Sequence, residues 1–313
     1  MLGYLNRAIP LEEVSDENFV RLVMDIRSFA MNELGLAESR NYTRYVELDR
    51  NYLAAIVSAS DRVSFNRHEW NYPVVGRLPY KGFFNIDGAY RERARLAKLD
   101  LDVWIRGVDA FSTLGWFRDP LYSYMRNYST NRLADLIIHE LVHATVFIKG
   151  HANFNEELAQ FIGSEGGRLF MEIRYGIDSD EYKEMIASQE NSRNYIAFIH
   201  ELITELEELY SNTNLKRNEI LQLKEQIINA AKERFNAEYE SRFTNDNYRY
   251  FSTLEVNNAY LELFRLYYSP DNFYEDLYER TGRDLPAFIA AAKTITRRGA
   301  HPRIQLENAL GVN

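Results

Sequence analysis

The sequence contains no cysteine in 313 residues. That absence excludes disulfides, thiol nucleophiles, zinc fingers and thiolate-held iron–sulfur clusters, so any metal in this chain must be held by His, Asp and Glu. It does not identify a compartment, because a chain with nothing to oxidise suits oxidising and reducing surroundings alike. Long apolar runs are also missing: none approaches the about 20 residues that a membrane-spanning helix needs. Met1-Leu2-Gly3-Tyr4-Leu5 lacks the charged and apolar regions of a signal peptide. Positive charge is in deficit, with 37 Lys and Arg against 46 Asp and Glu and a net charge of −9. With no basic stripe to neutralise phosphates, the balance argues against a nucleic-acid binder.

What is present is a core. Hydrophobic residues make up 46% and charged residues 27%, with 22 Tyr and 18 Phe, which excludes disorder and low-complexity structure. The length suits one catalytic domain with a helical appendage. Residues 16–37 read as a helix capped by Ser15 or Asp16 and stopped by Gly35. Residues 42–58 read as helical or mixed. Val74 to Phe84 reads as strand, bend, strand, Ala89 to Leu99 as a helix, and Val103 to Val108 as a strand continuing through Phe111-Ser112-Thr113. Leu133, Ile137, Leu141, Ala144 and Ile148 form an apolar stripe on a helix that Thr130 caps and Gly150 ends, and Asn153 or Asn155 caps the next. Ile196, Ile199, Ile203, Leu206 and Tyr210, then Ile220, Leu223, Ile227, Ala231 and Phe235, predict an antiparallel helical hairpin over 193–240. Such a pair is expected to pack on the core rather than serve as a partner-binding arm. The fold class expected is α+β and predominantly helical, with a small sheet, and a soft boundary separates a core over 1–178 from a helical region over 179–313.

The chemistry sits in His139-Glu140-Leu141-Val142-His143. Residues four apart on a helix differ by about 40° in direction, so both imidazoles face one side and can bind one Zn²⁺, with Glu140 beside them. Leu136-Ile137-Ile138 and Ala144 to Ile148 flank the motif, an apolar setting in which two imidazoles and a carboxylate would be costly without a metal. Two histidines leave a hydrolytic zinc short of a third protein ligand. Glu156, Glu157 and His151 are within reach in sequence; a metzincin would need His where Lys149 stands, so His151 fits that pattern poorly. Asn155-Glu156-Glu157-Leu158-Ala159, an N-E-x-x-A pattern following H-E-x-x-H, resembles the gluzincins, and the resemblance implies Glu156 as the third ligand, with Glu157 the alternative about 100° round the helix.

A closer resemblance covers roughly residues 20–280. Phe111 to Pro120, Leu136 to Ala144, Gly150, Phe154-Asn155-Glu156 and Glu165-Gly166 resemble a bacterial family of predicted zinc-dependent aminopeptidases, as do Trp70, Pro73 to Gly76, Pro79 to Phe84 and Asn257-Asn258-Ala259. The chain departs from it at His151, where the family has an acidic residue, and at Glu157, where a small one is usual. The resemblance implies a zincin fold over 1–178, a single zinc on His139, His143 and Glu156, Glu140 as general base, and a peptide substrate. Members often carry a lipidated N-terminal Cys, which implies the cell envelope or periplasm, with a lipid anchor on a segment preceding this sequence; the cytoplasm is the alternative.

Further roles follow from that chemistry. Tyr80 and Tyr260 are candidates for stabilising the oxyanion. Phe111 to Gly115, with Ser112 and Thr113, is placed to pair with an extended substrate or to be a structural strand. Asn257 and Asn258 either line the cleft or cap a helix. Glu157, Glu165 and Asp119 are the carboxylates at hand for a free amino terminus, though Glu165 projects from the face opposite Glu156. The alternatives are a zinc endopeptidase of the same clan and a non-catalytic zinc-containing binding protein.

Overall fold

Several helices begin where the sequence supplies a capping oxygen. In this computed structural model, which describes residues 7–72, 76–108, 119–267 and 272–311, Asp16 accepts from the amide of Phe19 at 3.0 Å and Ser129 from that of Arg132 at 3.3 Å. Among those residues the strands are β1 (Ile9–Pro10), β2 (Arg44–Val46), β3 (Ala54–Asp61), β4 (Trp70–Tyr72), β5 (Gly76–Leu78), β6 (Lys81–Phe83), β7 (Leu101–Val108) and β8 (Leu121–Tyr122). The helices are α1 (Glu17–Asn32), α2 (Ile86–Ala97), α3 (Thr130–Thr145), α4 (Ala152–Tyr175), α5 (Asp180–Ser211), α6 (Arg217–Arg242), α7 (Asn258–Tyr267), α8 (Phe273–Arg280), α9 (Leu285–Ala292) and α10 (Pro302–Leu310). The fold is α+β and predominantly helical, as the sequence implies. No described helix is long and apolar enough to cross a membrane.

Contacts divide the chain into two units, neither contiguous. The first comprises Met1–Asn51, Phe111–Met185 and Asp271–Asn313, and the second Tyr52–Ala110 and Ile186–Pro270. In the first, β2 pairs antiparallel with β1 and parallel with β8. There α3 packs against both α1 and α4, and Val23, Ile26, Ala30, Leu133, Ile137, Leu141, Leu158 and Ile162 on these helices are all buried. In the second, β3 lies between β6 and β7, both antiparallel to it. Ala55, Val57 and Ala59 pack with Val103, Ala89 and Leu96 of β7 and α2. The α5–α6 hairpin buries Tyr195, Phe198, Leu202 and Leu206 against Ile228, Ala231, Phe235 and Tyr239. Pairing of Arg234 with Glu205 and of Asn194 with the Arg242 carbonyl makes it antiparallel.

Three local expectations are corrected. The stretch 42–58 is not helical: it holds β2 and most of β3. Ala54 to Ser60 is buried at every position, so it shows no alternation to mark it as strand. The helix carrying the His pair ends at Thr145, not Gly150. There Thr145 Oγ1 bonds the Leu141 carbonyl at 2.7 Å and receives the Ala37 amide at 3.0 Å, after which Val146 turns extended. The hairpin's seam is wider than the predicted stripe: Ile199, Ile203, Leu206, Ala231 and Phe235 are buried as predicted, Tyr195, Phe198 and Ile228 join them, and Ile196 and Ile227 are only partly buried.

Candidate metal centre

The site is built where α3 and α4 approach most closely. A Cβ on Gly163 would lie 2.6 Å from Asp135 Oδ1 and 3.0 Å from both the Asp135 carbonyl and His139 Cβ; one on Gly167 would lie 3.2 Å from Asn131 Oδ1 and from the Asp135 amide. Pairing 163 with 135 and 167 with 131 sets the helices antiparallel in a fixed register, and only glycine permits the approach. Glu156 stands seven residues before Gly163, two turns along nearly the same face, so the register carries it to His139 and His143.

A latch fixes that end. Asn155, buried in the first turn of α4, accepts from the Ile148 amide at 2.9 Å and donates to the Ile148 carbonyl at 3.0 Å. It is thus no helix cap: His151 occupies the cap position and Asn155 ties the chain leaving α3 to the turn that carries Glu156.

The His139 and His143 Nε2 atoms lie 3.1 Å apart. Glu156 places Oε1 3.5 Å from His143 Nε2 and Oε2 3.8 Å from His139 Nε2. One ligand atom from each of the three falls within 4.8 Å of the others, the one such group among the described residues. Burial, helped by the neighbouring His143, pushes His139 down to about 4, so its ring is neutral at pH 7. Burial would lower His143 too, but the hydrogen bond and charge of Glu156 prevail and raise it. Glu156 is lowered in turn by the His143 hydrogen bond. His143 Nδ1 is buried without a hydrogen-bond partner, so the ring's polar contacts lie on its Nε2 side. Two imidazoles and a carboxylate converging there fit a divalent cation of borderline softness.

Glu140 is 6% exposed, and burial raises its carboxyl to about 7, with Asp119 and Glu156 adding to the rise and His143 opposing it. A carboxyl poised there can take up and return a proton near neutral pH. One residue in the same unit carried no sequence signal: Tyr42, 1% exposed, whose hydroxyl has no hydrogen-bond partner.

The remaining predicted residues fall in several places. Glu157 receives Arg303 Nη2 at 2.8 Å and the Tyr274 hydroxyl at 3.4 Å, which engages it away from the His pair. Glu165 is held by Arg168 at 3.0 Å and Arg283 at 3.5 Å. His151 stands edge-on to His301, ring centres 5.5 Å apart. Asp119 is half-buried, its amide on Asn41 Oδ1 at 3.3 Å. Tyr80, Asn257, Asn258 and Tyr260 belong to the second unit. There Asn257 accepts from the Tyr260 amide at 3.0 Å at the start of α7. Asn258, wholly buried, donates to the Asp61 and Ser64 carbonyls and accepts from the Tyr210 hydroxyl, and the Tyr260 hydroxyl bonds that of Tyr195. Ser112 and Thr113, with the whole of 109–118, lie outside the described residues.

The chain matches the family described as "Putative aminopeptidase" over residues 10–306. It belongs to that family. Membership supports a peptidase-like function acting on peptides, and the match spans both units. No match to the chain was found among curated proteins or among solved structures.

Proposed function

We propose that this family member is a zinc-dependent aminopeptidase of gluzincin type, with zinc on His139, His143 and Glu156 and with Glu140 as general base. The convergence of the three donor groups beside a buried glutamate carries the proposal. Zinc held there supplies Lewis acidity toward the scissile carbonyl and the attacking water. The chain's own residues do the rest. Glu140, protonating near neutrality, accepts the proton of the attacking water and returns it to the leaving amine. The closeness of α3 and α4 at Gly163 and the Asn155 latch hold the donors in place before substrate arrives. Of the three carboxylates at hand for a free amino terminus, Glu157 is engaged by Arg303 and Glu165 by two arginines.

The test compares zinc-loaded protein on amino-acid arylamides and on N-blocked peptides of the same sequence. Hydrolysis of the free-amine substrates with little turnover of the blocked ones supports the aminopeptidase; preference for blocked peptides overturns it in favour of an endopeptidase with the same chemistry.

A further inference from the structure

The second unit holds a cavity of about 260 Å³, lined by five consecutive residues of β7, Val103 to Gly107, so that it runs along an edge of that strand. β3 occupies the other edge, and no described strand pairs with this one. Ala59 and Asp61 of β3 bond His68 and Asn66 on the side away from β7, so the even-numbered groups of β3 face β7, and by the register those of β7 face back. The odd-numbered groups of β7 point outward, as the bond from Asn257 Nδ2 to the Val103 carbonyl at 3.2 Å shows. Ile105 and Gly107 thus offer N–H and C=O groups to the cavity they line. Ala55, Ile86 and Ile105 give it apolar walls. Tyr52 closes against the strand because Gly107 has no side chain: a Cβ there would lie 2.9 Å from Tyr52 Cβ.

Arg93 of α2 and Glu255, just ahead of α7, line this cavity and also a neighbouring one walled by Arg62, Asp100, Asp102 and Asn257. One positive and one negative group therefore stand between an apolar and a polar compartment. They meet each other at 3.2 Å with side chains 45% and 78% exposed, a solvent-screened pair that contributes little to the fold, and neither has another ion-pair partner among the described residues.

We propose that this cavity binds a free apolar α-amino acid, with its carboxylate on Arg93, its ammonium on Glu255 and its side chain among Ala55, Ile86 and Ile105. Such a zwitterion exchanges one screened ion pair for two, whereas a simple anion or cation satisfies one of the two charges and strands the other. Size points the same way: the volume lies below the about 300–1,000 Å³ of pockets for drug-sized ligands and suits one small metabolite. The site lies in the second unit and is independent of the metal centre; under the reading given above, its ligand belongs to the class of product released.

The test is isothermal titration of the full chain with L-leucine. One site per chain is expected, common to zinc-loaded and chelator-treated protein. Arg93→Gln and Glu255→Gln each weaken it at least about ten-fold, the scale of a hydrogen bond to a charged group, while their melting temperatures stay at the wild-type value because the broken pair is exposed. On the wild type, N-acetyl-L-leucine, which lacks the ammonium, L-leucinamide, which lacks the carboxylate, and glycine, which lacks the apolar side chain, each bind at least about ten-fold more weakly than L-leucine. No binding of L-leucine to chelator-treated wild type overturns the proposal, and so does binding undiminished in both variants, which places the ligand elsewhere. N-acetyl-L-leucine binding as tightly as L-leucine overturns the zwitterion, and a doubly blocked tripeptide binding more tightly replaces it with strand addition along β7. Loss of hydrolysis with L-leucine binding intact refutes the peptidase reading and leaves this site standing.

Discussion

Gly163→Ala tests whether close helix approach builds the site. Inside a helix alanine is favoured over glycine by about 1 kcal/mol, so on an open face the change would stabilise the protein. Here the new Cβ would stand 2.6 Å from Asp135 Oδ1, 3.0 Å from the Asp135 carbonyl and 3.0 Å from His139 Cβ. The carboxylate tip can swing aside. The carbonyl and His139 Cβ cannot, so α3 must retreat by several tenths of an ångström. Overpacking of this kind costs about 1 to 3 kcal/mol, which leaves a net loss of about 0 to 2 kcal/mol. The retreat carries His139 and His143 away from Glu156, and zinc affinity falls on the order of ten-fold, the scale seen when the support of a metal ligand is disturbed. Urea denaturation reads the first effect and chelator competition the second. Gly166→Ala is the control: its Cβ meets only side-chain methyls of Ile138 and Leu34 at 3.1 Å, which can give, so zinc affinity holds. A Gly163→Ala protein more stable than wild type with undiminished zinc affinity would refute the reasoning.

Two further outcomes follow from single residues. Burial raises Asp135 to about 6, so the folded state disfavours its ionised form; the stability is whole below its unfolded pKa and lost as pH climbs to about 6. Relative to metal-free wild type, Asp135→Asn should gain stability progressively between about pH 4 and 6 and hold a constant advantage of at most about 3 kcal/mol above that. The difference is the quantity to measure, since His139, lowered to about 4, titrates in the same window with opposite sign. A difference flat from pH 4 to 8 rejects the buried carboxyl. Glu156→Gln should weaken zinc binding at least about ten-fold, whereas Glu157→Gln, which breaks only the Arg303 pair, should retain one zinc and lose no more than about 1 kcal/mol. Isothermal titration separates the two, and the reverse ranking would make Glu157 the ligand.

Parts of this arrangement were legible because helical periodicity is local. A four-residue spacing places His139 and His143 on one side whatever the rest of the chain does, and the apolar stripe through Leu133, Ile137 and Leu141 identifies the face that α3 buries. The end of α3 was not legible, since Ile148 continues the stripe while the Thr145 back-bond and the Ala37 amide end the helix. Ala54 to Ser60 hid its strand because burial on both faces erases alternation. Tyr42 gave no signal at all: its left-handed backbone is held by the Asp119 carbonyl, while Arg27 of α1 binds the Ser39 carbonyl just before it, and both partners are distant in sequence. Gly163, Gly166 and Gly167 within one helix were a usable sign, since glycine there costs stability unless another backbone needs the space.

The central claim is that His139, His143 and Glu156 hold zinc while Glu140 does not. Its most direct measurement is elemental analysis of purified wild-type, His143→Ala and Glu140→Gln proteins, each paired with an arylamide assay. The account predicts one zinc per chain in the wild type and in Glu140→Gln, with hydrolysis in the first and none in the second, and little zinc in His143→Ala. A wild type that retains no zinc, or a Glu140→Gln protein as active as wild type, would contradict it.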